Sequence, residues 1–195
     1  MTYSSSDFWN EYWTMMKFNT FSTERCPLVI FEGGIGVGKT TLVKELAEHL
    51  GPRALPLVEP VPEDGTNPFL GMFYADMARW SFAFQVSQLG ARMELQLLGQ
   101  SWALSGRGPA LCDRSFYGDT CFARMLNKSG LMTDMEFSIY RKLYQTMTAF
   151  VMLPSICVRL MASPETQMAR INRRMEVNSS RKGETKVDIK YLAAL

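Results

Sequence analysis

From residue 28 onward, short apolar runs alternate with longer stretches of helical periodicity. Leu28 to Phe31, Leu55 to Val58, Ala110 to Cys112 and Ile156 to Met161 are short and almost uniformly apolar, and they read as buried strands. Lys39 to Leu50, Arg79 to Leu104 and Asp134 to Phe150 repeat apolar residues at three and four, and they read as helices. Each helix supplies the crossover length that parallel pairing needs. The pattern therefore predicts an α/β chain: a doubly wound parallel sheet with helices on both faces. The first 27 residues differ in being aromatic-rich, with Phe8, Trp9, Tyr12, Trp13 and Phe18. As a helix this segment would place Trp9, Tyr12 and Trp13 on one face, to cover part of the core or a subunit contact. No repeat or linker divides the remainder, so residues 28–195 are expected to form one domain. The polar stretch Glu176 to Lys186 reads as a mobile loop.

Composition narrows the partners. Lys and Arg number 21 against 19 Asp and Glu, a formal charge of +2 without a basic stripe, which argues against a nucleic-acid grip through many phosphates. Cys26, Cys112, Cys121 and Cys157 form no C-x-x-C pair, so reduced thiols in a reducing compartment are expected, with no metal cluster. Phe150 to Ala162 is interrupted by Pro154, Ser155 and Arg159, short of the roughly 20 apolar residues of a membrane span. The N-terminus carries Asp7 and Glu11 and fits neither a secretory signal nor an Arg-rich transit peptide, so a cytoplasmic protein is expected.

Gly33-Gly34-Ile35-Gly36-Val37-Gly38-Lys39-Thr40 completes G-x-x-x-x-G-K-[ST], directly after an apolar strand and directly before the helix that opens with Thr41. Glycines let the backbone curl so that successive N–H groups face phosphate oxygens, and the helix N-terminus adds its positive end. Lys39 is expected to reach the outer phosphates, and the Thr40 hydroxyl to hold Mg²⁺. A phosphate cradle leaves the reaction open, because switches, motors and small-molecule kinases all use one.

Strand ends carry the remaining chemistry. Glu59 follows the second apolar run, where it would lie beside the phosphate loop and could accept a proton from an attacking hydroxyl. Asp113 and Arg114 follow the third, where Asp113 could hold Mg²⁺ and Arg114 could bind phosphate or fix Glu59.

With these stand Glu59-Pro60-Val61, Asn67-Pro68-Phe69-Leu70, Tyr74-Ala75-Asp76, Arg79-Trp80-Ser81-Phe82-Ala83-Phe84-Gln85, Asp113-Arg114-Ser115-Phe116-Tyr117 and Ala162-Ser163-Pro164-Glu165-Thr166, followed by Arg170 and Arg174. In this order and spacing, from about Leu28 to Leu192, the chain resembles the deoxyribonucleoside kinases, a family that includes deoxycytidine and deoxyguanosine kinases. The resemblance implies transfer of the terminal phosphate of ATP or another nucleoside triphosphate, with Mg²⁺, to the 5′-hydroxyl of a deoxynucleoside, in a P-loop kinase fold with a lid at about 170–186. It implies Glu59 as general base, Gln85 as reader of the base edge, and Tyr74 and Glu184 as holders of the sugar 3′-hydroxyl. Trp80, Phe84 and Phe116 become candidate walls around the base. Arg170, Arg174 and Arg181 become lid arginines closing over the donor phosphates, with Arg173 a competitor for the same place. Arg92 and Asp119 match the Arg–Asp pair of the deoxycytidine and deoxyguanosine kinases, which implies deoxyguanosine, deoxyadenosine or deoxycytidine in preference to thymidine. A homodimer is implied by the same likeness.

The chain departs from the family at Asp64, where a tryptophan is usual, at Asp113, where a glutamate is usual, and at Gly118, where a serine is common. It also stops at Leu195, where relatives continue. Two other readings share the phosphate loop: a nucleoside monophosphate kinase resembling thymidylate kinase, and a nucleotide-binding regulatory module.

Overall fold

Residues 26–58 and 68–177, with positions 187, 189 and 192, are described by a computed structural model. Along them run β1 (Leu28–Glu32), α1 (Lys39–Leu50), β2 (Leu55–Leu57), α2 (Pro68–Ala75), α3 (Met77–Leu104), β3 (Ala110–Asp113), α4 (Asp119–Lys128), α5 (Asp134–Thr148), β4 (Ile156–Arg159) and α6 (Pro164–Val177). The four strands pair in parallel in the order β2-β3-β1-β4.

Successive strand residues point to opposite faces, and in β1 and β3 both sets are apolar. Leu28, Ile30, Ala110 and Cys112 pack on one side with Leu89, Met93 and Ala103 of α3. Val29, Phe31 and Leu111 pack on the other with Val43 and Ala47 of α1. Each such large side chain contributes about 1.5–3 kcal/mol on burial, so both faces need a helical cover. The helix α3 approaches the sheet closely at Gly99, where a methyl group would lie 2.7 Å from Leu57 Cδ1 and 3.0 Å from Leu28 Cδ1.

Local caps set the helix starts. The Asp76 carboxylate accepts the Arg79 N–H at 3.1 Å, which starts α3 two residues before the position read from periodicity. Thr133 and Glu136 form a reciprocal capping box at α5. At α6 the Ser163 hydroxyl accepts the Thr166 N–H at 3.3 Å, and Pro164 occupies the first turn, where its missing N–H costs nothing. Thr133→Ala is expected to lower stability by about 1 kcal/mol, seen as a reduced urea midpoint with unchanged slope.

Three sequence expectations are corrected. The strand at 156–161 ends at Arg159 and is not buried: Ile156, Cys157 and Arg159 are exposed, because among the described residues β4 pairs on one side only, with β1. The second strand does not adjoin the phosphate loop, since β3 lies between β2 and β1. Helices α2, α4 and α6 were absent from the periodicity reading. They are short or strongly polar, and among its described side chains α6 fully buries only Gln167 and Ile171, with Met168 and Met175 partly buried against the core. The N-terminal aromatic segment lies outside the described residues, as do Glu59, Asp64, Arg181, Glu184 and most of the 176–186 stretch. Among the described residues no helix is long and apolar enough to cross a membrane.

Candidate active site

Parallel pairing brings the C-terminal ends of β1 and β3 to one edge of the sheet, the register setting Phe31 beside Asp113. The loop 33–38 leaves β1 there and enters α1. Gly36 at φ 75° and Gly38 at φ 105° take left-handed backbone that a side chain would strain. At Gly36 an added Cβ would also meet the Gln167 carbonyl oxygen at 2.8 Å. Lys39 is buried, and its Nζ donates to the carbonyls of Gly33 (3.1 Å) and Gly34 (2.8 Å), which holds the ammonium against the loop.

The Thr40 hydroxyl donates to Asp113 Oδ2, joining the first turn of α1 to the end of β3. A hydroxyl and a carboxylate oxygen at the mouth of a phosphate cradle are hard donors of the kind Mg²⁺ takes. Arg114, next along, is the single non-glycine residue at positive φ (68°) among the described residues, and its N–H is anchored on the Phe31 carbonyl at 3.0 Å. Strain of this sort persists where surrounding bonds over-determine it. Those bonds centre on Glu32, which the sequence reading missed. Its Oε1 accepts from both the Ser115 N–H (3.0 Å) and the Ser115 hydroxyl. Ser115 Oγ in turn accepts from the N–H groups of Tyr117 (3.1 Å) and Gly118 (3.2 Å). The glycine at 118 has a local reason: a Cβ there would lie 2.6 Å from Glu32 Oε2. Burial, aided by the Asp113 carboxylate, pushes the Cys112 thiol up to about 12, so it stays protonated and inert.

The helix α6 covers the phosphate loop from above. Arg170 Nη1 donates to the Val37 carbonyl at 2.7 Å, whereas Arg173 is exposed and Arg174 half-buried. Gln167, also missed by the sequence reading, packs its Oε1 where a Cβ on Gly34 would sit and donates through Nε2 to the Ala162 carbonyl at 2.8 Å.

A second group of polar side chains lines α3. Gln85 is buried with its Oε1 lacking a hydrogen-bond partner among the described residues. Two turns later Arg92 forms a buried ion pair with Asp119 of α4. Tyr140 of α5 donates its hydroxyl to the other oxygen of Asp119. The guanidinium groups of Arg92 and Arg114 both lie against the Phe122 ring, at 5.8 and 4.9 Å from its centroid, so one aromatic spaces the two cations.

The aromatic candidates separate. Phe84 stacks on Phe73 at 4.6 Å and meets Phe69 edge-on, and Trp80 joins the same cluster through Phe69. Phe116 is fully buried and stacks on Tyr144 at 4.8 Å. Tyr74 is buried beside Phe73.

The sequence model of the deoxynucleoside kinase family matches residues 29–195. The chain belongs to this family. A deoxyadenosine kinase of Dictyostelium discoideum is 35% identical over 167 residues, covering 86% of this chain and 62% of the relative. A deoxyadenosine/deoxycytidine kinase of Bacillus subtilis is 33% identical over 160 residues, covering 79% and 70% respectively. A solved deoxyadenosine kinase from M. mycoides, described with products dCMP and a flexible dCDP bound, superposes with a TM-score of 0.68 at 24% identity. It covers 85% of this chain and 78% of that one, and it supports the kinase fold. The chain thus spans under two thirds of the Dictyostelium relative's length. Within this deoxynucleoside kinase fold, Glu32, Phe122, Tyr140 and Gln167 carried no sequence signal of their own. Each is recognised only by what it touches across the sheet or between helices.

Proposed function

We propose that this protein transfers the terminal phosphate of ATP, or another nucleoside triphosphate, to the 5′-hydroxyl of a deoxynucleoside, favouring deoxyadenosine, deoxyguanosine or deoxycytidine over thymidine. The observation that carries the reading is the pairing of two polar centres on one scaffold: the Lys39, Thr40 and Asp113 cluster at the phosphate loop, and the buried Gln85, Arg92 and Asp119 on α3 and α4, with Phe122 lying against both Arg92 and Arg114. The names of the relatives, deoxyadenosine, deoxycytidine and deoxyguanosine kinases, agree with it.

Residues 33–41 hold the donor phosphates with backbone N–H groups, and Lys39 neutralises the outer ones. Thr40 and Asp113 would hold Mg²⁺, which would supply positive charge against the donor phosphates. Glu59 takes the proton of the 5′-hydroxyl, and Arg114 stabilises the transferring group. Arg170 and Arg174 on α6, with Arg181 beyond it, form the lid that excludes water. Tyr74 and Glu184 hold the 3′-hydroxyl. Trp80, Phe84 and Phe116 shape the apolar surroundings of the base, Phe116 from within the core. Gln85 supplies a donor and an acceptor to the base edge, while the charged Arg92–Asp119 pair crowds a 5-methyl group.

We assign the protein to the cytoplasm and to a homodimer, without nucleic-acid or membrane partners. The dimer reading is supported by an exposed apolar stripe on α5, Met135, Ile139 and Leu143, spaced at four.

Purified protein with Mg-ATP and a panel of deoxynucleosides and their monophosphates tests the reaction. Formation of 5′-monophosphates is the expected outcome. Phosphorylation of monophosphates only, or ATP turnover without an acceptor, would refute it. In the same assay Glu59→Gln is expected to bind nucleoside normally and to turn over about 100- to 10,000-fold more slowly; an unchanged rate removes Glu59 as the base.

A further inference from the structure

Asp119 is the most completely enclosed carboxylate among the described residues, and both its oxygens are engaged by different helices. Arg92 of α3 pairs with one oxygen, and Tyr140 of α5 donates its hydroxyl to the other. Tyr140 is itself fully buried and lies one helix layer behind the pair. A carboxylate pinned at both oxygens cannot rotate, and it keeps spare lone pairs in fixed directions. We infer that Tyr140 is a positioning residue for base selection, holding Asp119 as an acceptor so that the Arg92–Asp119 pair distinguishes an amino from an oxo substituent on the base. The inference rests on the nucleoside-kinase reading above and extends it to a residue outside the phosphate and base sites.

Three observations support it. Among the described residues the Tyr140 hydroxyl donates to Asp119 Oδ2. Burial pushes its ionisation well above the ordinary tyrosine range, against a smaller opposing pull from Arg92, so the proton stays on the phenol and the donor persists. Packing also fixes the ring, since α4 and α5 both contact α3 and each other, and Tyr140 sits in one buried cluster with Leu126 and Met132. Loss of the hydroxyl would leave Asp119 with one anchor. The carboxylate is then free to turn, and the acceptor offered to an amino group is weakened while Arg92, the donor offered to an oxo group, remains.

The test is Tyr140→Phe, which removes one oxygen and keeps the ring. Specificity constants are measured for deoxyadenosine and deoxyinosine, whose bases differ in presenting an amino or an oxo group at the six-position. The expected result is a fall of at least threefold in the deoxyadenosine to deoxyinosine ratio, with the kcat for deoxyinosine kept. A purely structural role would lower both substrates together, so a ratio change below threefold overturns the inference. In an Asp119→Asn background the same substitution should leave the ratio unmoved, and a further fall there would also overturn it. If Tyr140→Phe does not fold, judged by melting, Tyr140→Met is measured against the same threshold. Wild-type protein that phosphorylates no deoxynucleoside defeats the functional reading itself, whereas an active wild type with an unmoved ratio defeats only the role of Tyr140.

Discussion

Asp113→Asn is expected to lower kcat for phosphate transfer by about 100- to 1,000-fold with little change in stability. The amide has nearly the shape of the carboxylate and can still accept the Thr40 hydroxyl, so the contact between α1 and β3 survives. What disappears is the negative charge, the property that a hard divalent cation requires of its oxygen ligands. Position and charge are thereby separated at one atom. Rate measured across a magnesium series is the informative readout: with Asp113 as the proposed ligand, partial recovery at high magnesium is expected, because the neutral amide would bind the ion more weakly. Asp113→Ala should be slower still and also less stable, since it orphans Thr40. A variant Asp113→Asn with wild-type kcat at every magnesium concentration would place the metal site elsewhere.

Asp119→Ala alone should cost about 3–5 kcal/mol of stability, because it strands the Arg92 guanidinium in a buried site without its counter-charge. That is a large share of the roughly 5–15 kcal/mol by which a domain is stable. Pairing it with Arg92→Met removes the stranded charge and restores apolar volume, so the double variant should recover most of the loss. A denaturant series on the three proteins checks this, the double variant lying nearer wild type than Asp119→Ala does. The double variant should also raise activity on thymidine relative to the purine nucleosides, because the room taken by two charged groups opens to a 5-methyl group. Recovered stability with an unchanged substrate ratio would make the pair structural and would remove it as the selector.

The strands and the phosphate loop were legible because their signals are local. Leu28 to Phe31 is an uninterrupted apolar run, and the spacing of Gly33, Gly38, Lys39 and Thr40 is fixed by one turn of backbone around a phosphate. The three long helices were legible through their periodicity. The helix α6 was not, because its exposed arginines hide a narrow packed edge of buried Gln167 and Ile171 with partly buried Met168 and Met175. The exposure of β4 was also hidden, since an apolar run has the same appearance at the edge of a sheet as at its centre. The place of β2 could not be read either, because strand order depends on where the α3 crossover delivers β3.

The sequence by itself therefore determined the alternation of strand and helix, the phosphate cradle, and the set of charged residues available at strand ends, all of which arise from neighbours within a few positions. Tertiary structure alone decided which of them meet. Glu32 grips Ser115 across 83 positions, Thr40 reaches Asp113 across 73, and Tyr140 finds Asp119 across 21. Such contacts follow from packing helices against both faces of one parallel sheet, where the burial of apolar side chains fixes distances that no local pattern encodes.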